Sequence, residues 1–260
     1  MAAVTAVRVL DAERGFRRFD QVSRAPDSIS AQLALLQEQA RGRNALGILG
    51  LALKEKFARK TAIVSSFGAE SAALLHLIAE IDPTTPILFV NTGKLFGETL
   101  RYRDRLQDLL GLTDVRSLGP HPIARANKDP EGVLWSRDPD ACCAFRKVQP
   151  LKQSLNGFSA VVTGRKRFQT RERSTMSAVE FFDGRFRFNP LCDWSLADVD
   201  AYFTEHNLPR HPLVDDGYVS IGCMPCTRRL QAGESYRDGR WAGLEKDECG
   251  IHTGIDGEGI

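Results

Sequence analysis

The sequence predicts an α/β fold: a doubly wound, mostly parallel sheet with a C-terminal tail that builds a site over it. Three observations carry this reading. Short apolar runs alternate with amphipathic segments between residues 61 and 163. Buried strands separated by helices pair in parallel through right-handed crossovers. Beyond Pro209 the chain becomes rich in Gly, Pro, Cys and charge, which suits a segment wrapped over a body better than a second core.

The elements follow in order. Residues 1–26 are mixed in composition and read as a loosely ordered segment. From Ser28 to Phe57, Leu33, Leu36, Leu46 and Leu49 recur at helical spacing, which predicts one or two helices, weakened at Gly42 and Gly50. Thr61–Ser65 and Pro86–Val90 are apolar strands, followed by helices over Glu70–Ile81 and Leu95–Leu110. Asp114–Leu118 and Ser159–Thr163 are weaker strands, with helix between them from Cys142 to Leu155, broken or kinked near Pro150. After Arg173 the texture changes: Arg185–Phe188 reads as a short strand, and Ser195–His206 as a helix capped by Ser195. No internal repeat or linker divides the chain, so 1–260 reads as one domain, with residues 242–260 a mobile tail.

Composition narrows the function classes. A hydrophobic fraction of 42% over 260 residues supports a sizeable core. The balance of 35 Lys and Arg against 33 Asp and Glu speaks against a nucleic-acid or membrane-surface protein. No apolar run approaches the ~20 residues of a membrane span. The N-terminus, with Asp11 and Glu13, lacks a signal-peptide pattern. The expectation is a cytoplasmic protein, in which six cysteines serve metal or thiol chemistry rather than disulfides.

Ser65-Ser66-Phe67-Gly68-Ala69-Glu70-Ser71 lies between a strand and a helix. Backbone N–H groups at a helix start hold oxyanions, and Gly68 permits close approach. The same heptapeptide also suits an ordinary strand–helix turn capped by Ser. It lacks the Gly-Lys-Ser/Thr ending of a Walker loop. It resembles the PP-loop of adenine-nucleotide α-hydrolase-like proteins, but carries Phe67 in place of a glycine and Glu70 in place of Asp. Asn91–Thr99 follows the second strand, where open α/β sheets bind ligands.

Cys142-Cys143 and Cys223-Met224-Pro225-Cys226 supply four thiols from two distant places. Four thiolates suit Zn²⁺ or an iron–sulfur cluster, and a lone Cys-x-x-Cys also suits a redox dithiol. Adjacent ligands strain one tetrahedral ion, whereas a cluster offers neighbouring cysteines separate irons, which favours the cluster. Cys192, in Asn-Pro-Leu-Cys-Asp-Trp, reads as a core residue. Cys249 stands in Glu-Cys-Gly-Ile-His near a Gly-rich end. A nucleophilic thiol needs exposure and nearby positive charge, which His252, Arg237 and Arg240 are expected to provide.

Basic residues gather in Thr163–Arg173, which contains Arg171, and in Arg237-Asp-Gly-Arg240-Trp. Guanidinium groups hold phosphate and sulfate in a planar fork, although a charge run is also the usual composition of a solvated face. Lys147 lies one helical turn after Cys143, toward both the thiols and a bound anion.

Taken together, Ser-Phe-Gly-Ala-Glu (66–70), Cys-Cys-Ala-Phe-Arg-Lys (142–147), residues 217–227, Arg-Asp-Gly-Arg-Trp (237–241) and Glu-Cys-Gly-Ile-His (248–252) resemble the assimilatory adenosine 5′-phosphosulfate reductase family. The resemblance implies an adenine nucleotide α-hydrolase-like fold. It implies a 4Fe–4S cluster on Cys142, Cys143, Cys223 and Cys226. It implies that Cys249 attacks the sulfur of adenosine 5′-phosphosulfate, expels AMP and forms an S-sulfocysteine from which thioredoxin or glutaredoxin releases sulfite. Ser65, Ser66, Gly68, Glu70, Lys147, Arg171, Arg237, Arg240 and His252 are then the expected substrate contacts. Four cluster cysteines favour this substrate over its 3′-phosphorylated form, although some cluster-bearing members accept both. A homo-oligomer is a further family expectation. Gly97 departs from the family, which commonly has Pro after Leu-Phe. Phe67 and Glu70 speak against the rival reading as an ATP-using PP-loop enzyme; the other rival, a non-catalytic metal- or cluster-binding module, predicts that Cys249→Ser is silent.

Overall fold

The computed structural model describes residues 28–241, 246 and 248–252. The expectations for residues 1–26 and for most of 242–260 lie outside these residues. The chain opens with α1 (Ile29–Ala40) and α2 (Ala45–Gly50), capped by the side chains of Ser28 and Asn44. Then follow β1 (Thr61–Ser65), α3 (Ser71–Ile81), β2 (Ile87–Val90), α4 (Gly97–Leu110) and β3 (Val115–Leu118). Gly97 is the first residue of α4, a position that Pro also tolerates. Three short helices, α5 (Pro122–Lys128), α6 (Leu134–Arg137) and α7 (Pro139–Cys143), lead to α8 (Gln149–Ser154). The remaining regular elements are β4 (Ala160–Thr163), β5 (Val179–Phe182), β6 (Arg185–Phe188) and α9 (Leu196–Glu205).

The sheet order is β3-β2-β1-β4-β6-β5, parallel except for the β5–β6 pair. Side chains alternate across it, as the pleat requires. Ile63, Phe89 and Val162 face one core with α2 and α3, while Ala62, Leu88 and Val161 face the other with Leu151 and Leu155 of α8. The doubly wound expectation therefore holds. The chain winds outward from β1 to β3, then returns to place β4 on the other side of β1. The carboxyl ends of β1 and β4 form the switch point at which such sheets bind ligands.

Two elements differ from the sequence reading. No break occurs at Pro150, because the helix widens into a π turn over Ala144–Val148 just before it. The wide turn accommodates a ring that has no N–H to donate. β5 was not among the expected strands. It pairs with β6 through Asp183 and Gly184, whose φ values of 47° and 74° make the two-residue turn that matches strand twist. Gln37 Nε2 of α1 donates to Val179 O at 3.0 Å, which covers this edge strand.

Candidate active site

The cleft at the switch point holds about 210 Å³ and lies where open α/β sheets bind ligands, so it is the natural ligand site. Its floor is the loop after β1. Phe67 takes a positive φ of 49°, the left-handed conformation that a glycine would supply at this place. Its ring is fully buried and packs edge-on against Phe89 at 5.2 Å, which offsets the strain. Ser65 Oγ accepts from Phe67 N at 3.2 Å, and Ser71 N donates to Gly68 O at 3.1 Å, closing a tight turn. α1, α2 and α9 carry side-chain N-caps, whereas α3 has none. With Ser71 N bonded to Gly68 O, the amides that follow it in the first turn remain available to an anion.

Glu70 lines this cleft but spends its carboxylate on the protein. Oε2 accepts from Lys166 Nζ at 2.6 Å and Gln169 Nε2 at 2.8 Å, and Oε1 accepts from Tyr236 OH at 2.7 Å. One side chain therefore joins the loops after β1 and β4 to the tail. Burial pulls Lys166 below the ordinary lysine value, although Glu70 beside it opposes that shift.

Ser65, Ser66, Gly68, Lys147, Arg237, Arg240, Cys249 and His252 all line the cleft with Glu70. Arg171 does not. It is exposed in the turn after Gln169, and Arg173 lines the cleft in its stead. Arg165 and Lys166 also face the cleft and were not among the expected contacts. All three lie in the basic stretch from 163 to 173; an irregular turn has no period from which a side chain's direction can be read.

The electrostatics correct a second expectation. His252 does not supply positive charge. Burial, then Arg165, Arg173, Arg187 and Arg237 around it, hold its imidazole well below the usual histidine value. Charge for Cys249 comes from elsewhere. Burial pushes this thiol up, but Lys147, the Ile251 amide and Arg240 together outweigh it and leave Cys249 below the ordinary cysteine value. Lys147 is itself buried. Burial pulls it down, and the thiols of Cys249, Cys223 and Cys143 more than restore it, so the ammonium stays charged. Four cations surround the buried Trp241 ring: Arg240 at 4.4 Å, Arg237 at 5.6 Å, Lys246 at 5.8 Å and Lys147 at 6.0 Å.

Cys142, Cys143, Cys223 and Cys226 line one small cavity beside Lys147, reached from α7 and from the short turn Met224–Cys226. All four are free thiols, and Cys223 Sγ lies 3.2 Å from Thr92 Oγ1. Among the described residues, no three His, Cys, Asp or Glu side chains converge closely enough for a single metal ion. Four thiols around a shared cavity fit a polynuclear group, whose ligands stand further apart. The buried Arg146–Asp129 pair at 2.5 Å, with Arg146 Nη1 donating to Thr92 O at 2.8 Å, ties this helix to the loop after β2. Cys192 is buried away from both sites, in agreement with a core role.

Known proteins resemble this chain in sequence and in fold. The sequence pattern of the phosphoadenosine phosphosulfate reductase domain matches residues 60–229. A Mesorhizobium japonicum protein named adenosine 5′-phosphosulfate reductase is 46% identical over 236 residues, covering 91% of this chain and 93% of that one. A Chelativorans protein of the same name is 48% identical over 191 residues, covering 74% and 78% of the two chains. A crystal structure of phosphoadenylyl-sulfate reductase from Candida auris, a phosphate complex, matches with a TM-score of 0.67 at 24% identity, over 77% of this chain and 98% of that one. At that identity the last likeness concerns the fold. With its parallel sheet, its loop at the switch point and relatives matched over most of their length, this chain belongs to the phosphoadenosine phosphosulfate reductase family.

Proposed function

We propose that this chain reduces adenosine 5′-phosphosulfate to sulfite and AMP, with Cys249 as nucleophile. The observation that carries the reading is the meeting of three things in one cleft: the uncapped loop Ser65–Ser71, the cations Lys147, Arg237 and Arg240, and a thiol held below its ordinary value. The loop amides and cations hold the phosphate and sulfate oxygens and orient the S–O bond toward Cys249. The Cys249 thiolate attacks the sulfur, the S–O bond breaks, and AMP leaves with the electron pair. Cys249 then carries a sulfo group. An external dithiol, thioredoxin or glutaredoxin, attacks Cys249 Sγ and expels sulfite with the S–S electron pair. Its second thiol resolves the mixed disulfide and restores Cys249.

Cys142, Cys143, Cys223 and Cys226 would hold a 4Fe–4S cluster. When bound, it would fix the Lys147 helix against the Cys223 loop and contribute to the local field. Lys147, four residues after Cys143, remains the side chain that acts on the anion.

The test is anaerobic incubation with substrate radiolabelled on sulfur, without reductant, after assay of iron and labile sulfide. Protein-bound label is expected, absent in Cys249→Ser and discharged as sulfite by reduced thioredoxin. Protein that stays unlabelled sinks the nucleophile, and protein free of iron and sulfide sinks the cluster. The domain's name favours one second reading, the 3′-phosphorylated substrate. The same assay with that compound decides between the two by rate.

A further inference from the structure

A continuous polar chain runs from the phosphate loop to the residue before the nucleophile. Glu70 Oε2 accepts from Gln169 Nε2 at 2.8 Å. Gln169 Oε1 accepts from Arg173 Nη1 at 2.5 Å. Arg173 Nη2 lies 2.6 Å from Glu248 Oε1. Both ends of that last pair are buried, with side chains 9% and 8% exposed. Arg237 Nη2 stands further from the same carboxylate, at 3.7 Å. Glu248 is bonded directly to Cys249, so anchoring its carboxylate fixes the thiol to within one peptide unit.

We infer that Arg173 and Glu248 are a positioning pair that seats Cys249 in the cleft. The distances support this: Glu248 sits on Arg173 at 2.6 Å, whereas Arg237 stands 3.7 Å from the same carboxylate. Arg173 is fixed to Gln169, which the phosphate loop holds through Glu70. The position of the anion-binding loop is thereby carried to the thiol through side chains alone, without a strand or helix between them.

The inference makes two kinds of prediction. The first concerns the thiol itself and stands apart from the proposed reaction. In anaerobic protein with its metal content intact, Cys249 is alkylated with iodoacetamide across pH, and the modified peptide is quantified by mass. Comparison of the high-pH plateau rates removes any effect on thiolate fraction. Glu248→Gln and Arg173→Gln should each raise the plateau about tenfold, the double variant should rise no further, and Glu248→Asp should fall between. The second rests on the proposed reaction. Both single variants should lower kcat about tenfold with KM within about twofold, whereas Arg237→Gln should raise KM. Unchanged alkylation in Glu248→Gln overturns the positioning role, even if activity falls. A raised KM in Arg173→Gln, with alkylation unchanged, makes Arg173 a substrate ligand and also overturns it. If no substrate is turned over, the alkylation result still decides the pair.

Discussion

The two walls of the cleft are built by different physics. One wall is the sheet edge, where Ser65–Ser71 and Thr163–Gln169 follow strands that pair from Thr61 with Ala160 to Val64 with Thr163. Behind it, Ile63, Phe67 and Phe89 are fully buried. The other wall is the tail. It is held by the Tyr236–Glu70 hydrogen bond, the Arg173–Glu248 pair and the cations around Trp241. A backbone ladder and an apolar core give way only with the fold, whereas a few side-chain contacts can open locally. The sheet wall is therefore the fixed one and the thiol-bearing tail the detachable one. That division suits the proposed reaction, in which the thiol meets a nucleotide in the cleft and another protein's dithiol outside it.

Glu70 is the side chain in which the two walls meet, so removing it should break the contrast between them. Glu70→Ala leaves Lys166 a buried ammonium without its counter-ion and takes the acceptor from Tyr236. Breaking a buried pair by deleting one partner costs about 3–5 kcal/mol. Urea unfolding should show a loss of that size, with faster alkylation of Cys249 below the transition. A loss under about 1 kcal/mol would mean that the walls are held independently.

Much of the fixed wall is legible in the sequence. The runs Thr-Ala-Ile-Val-Ser and Pro-Ile-Leu-Phe-Val name their own strands, and the loop between strand and helix is local. β5 is harder: Val-Glu-Phe-Phe carries Glu180, which pairs with Arg165 at 2.6 Å. The Asp183-Gly184 turn was the available signal for it. The detachable wall is legible in residue type but not in role. The lowered proton affinity of His252 comes first from its burial and then from arginines at four separate places, 165, 173, 187 and 237. Glu70 reads as part of an anion loop, although a carboxylate there would repel the anion. Only the fold shows that Lys166, ninety-six residues on, takes that charge.

The junction between the walls can be probed by pH. His211 is fully buried where the body passes into the tail; its Nδ1 accepts from Leu213 N at 3.2 Å and its Nε2 lies 3.0 Å from Thr99 Oγ1. With Nδ1 accepting, Nε2 carries the proton and donates to Thr99. Burial lowers this imidazole from 6.5 to about 4. The unfolded chain thus binds the proton first. The stability that the neutral ring contributes is complete above pH about 6.5 and is lost progressively as the pH falls to about 4. The full loss is on the order of 3 kcal/mol. Chemical unfolding at pH 7 and pH 4.5 should show a drop that is smaller in His211→Gln, which cannot titrate. An equal drop in that variant would place the sensitivity elsewhere.

The smallest effect sharpens the contrast within the tail itself. Lys246 Nζ meets Asp140 Oδ1 just outside the cleft, on the helix that carries Cys142 and Cys143. By sequence this pair resembles Arg173–Glu248: one cation, one carboxylate, one tail. Its setting is the opposite, because the Asp140 side chain is 82% exposed while that of Glu248 is 8% exposed. A pair with one end in solvent contributes about 0–1 kcal/mol, since water and salt already solvate that carboxylate. Lys246 keeps its packing against Trp241 whether or not Asp140 is charged. Asp140→Asn should therefore change the Cys249 alkylation plateau by less than about twofold, and raised salt should erase even that difference. A change as large as that of Glu248→Gln would show that the tail is held from the thiol-cluster side. The detachable wall would then be anchored to the four cysteines rather than to the phosphate loop.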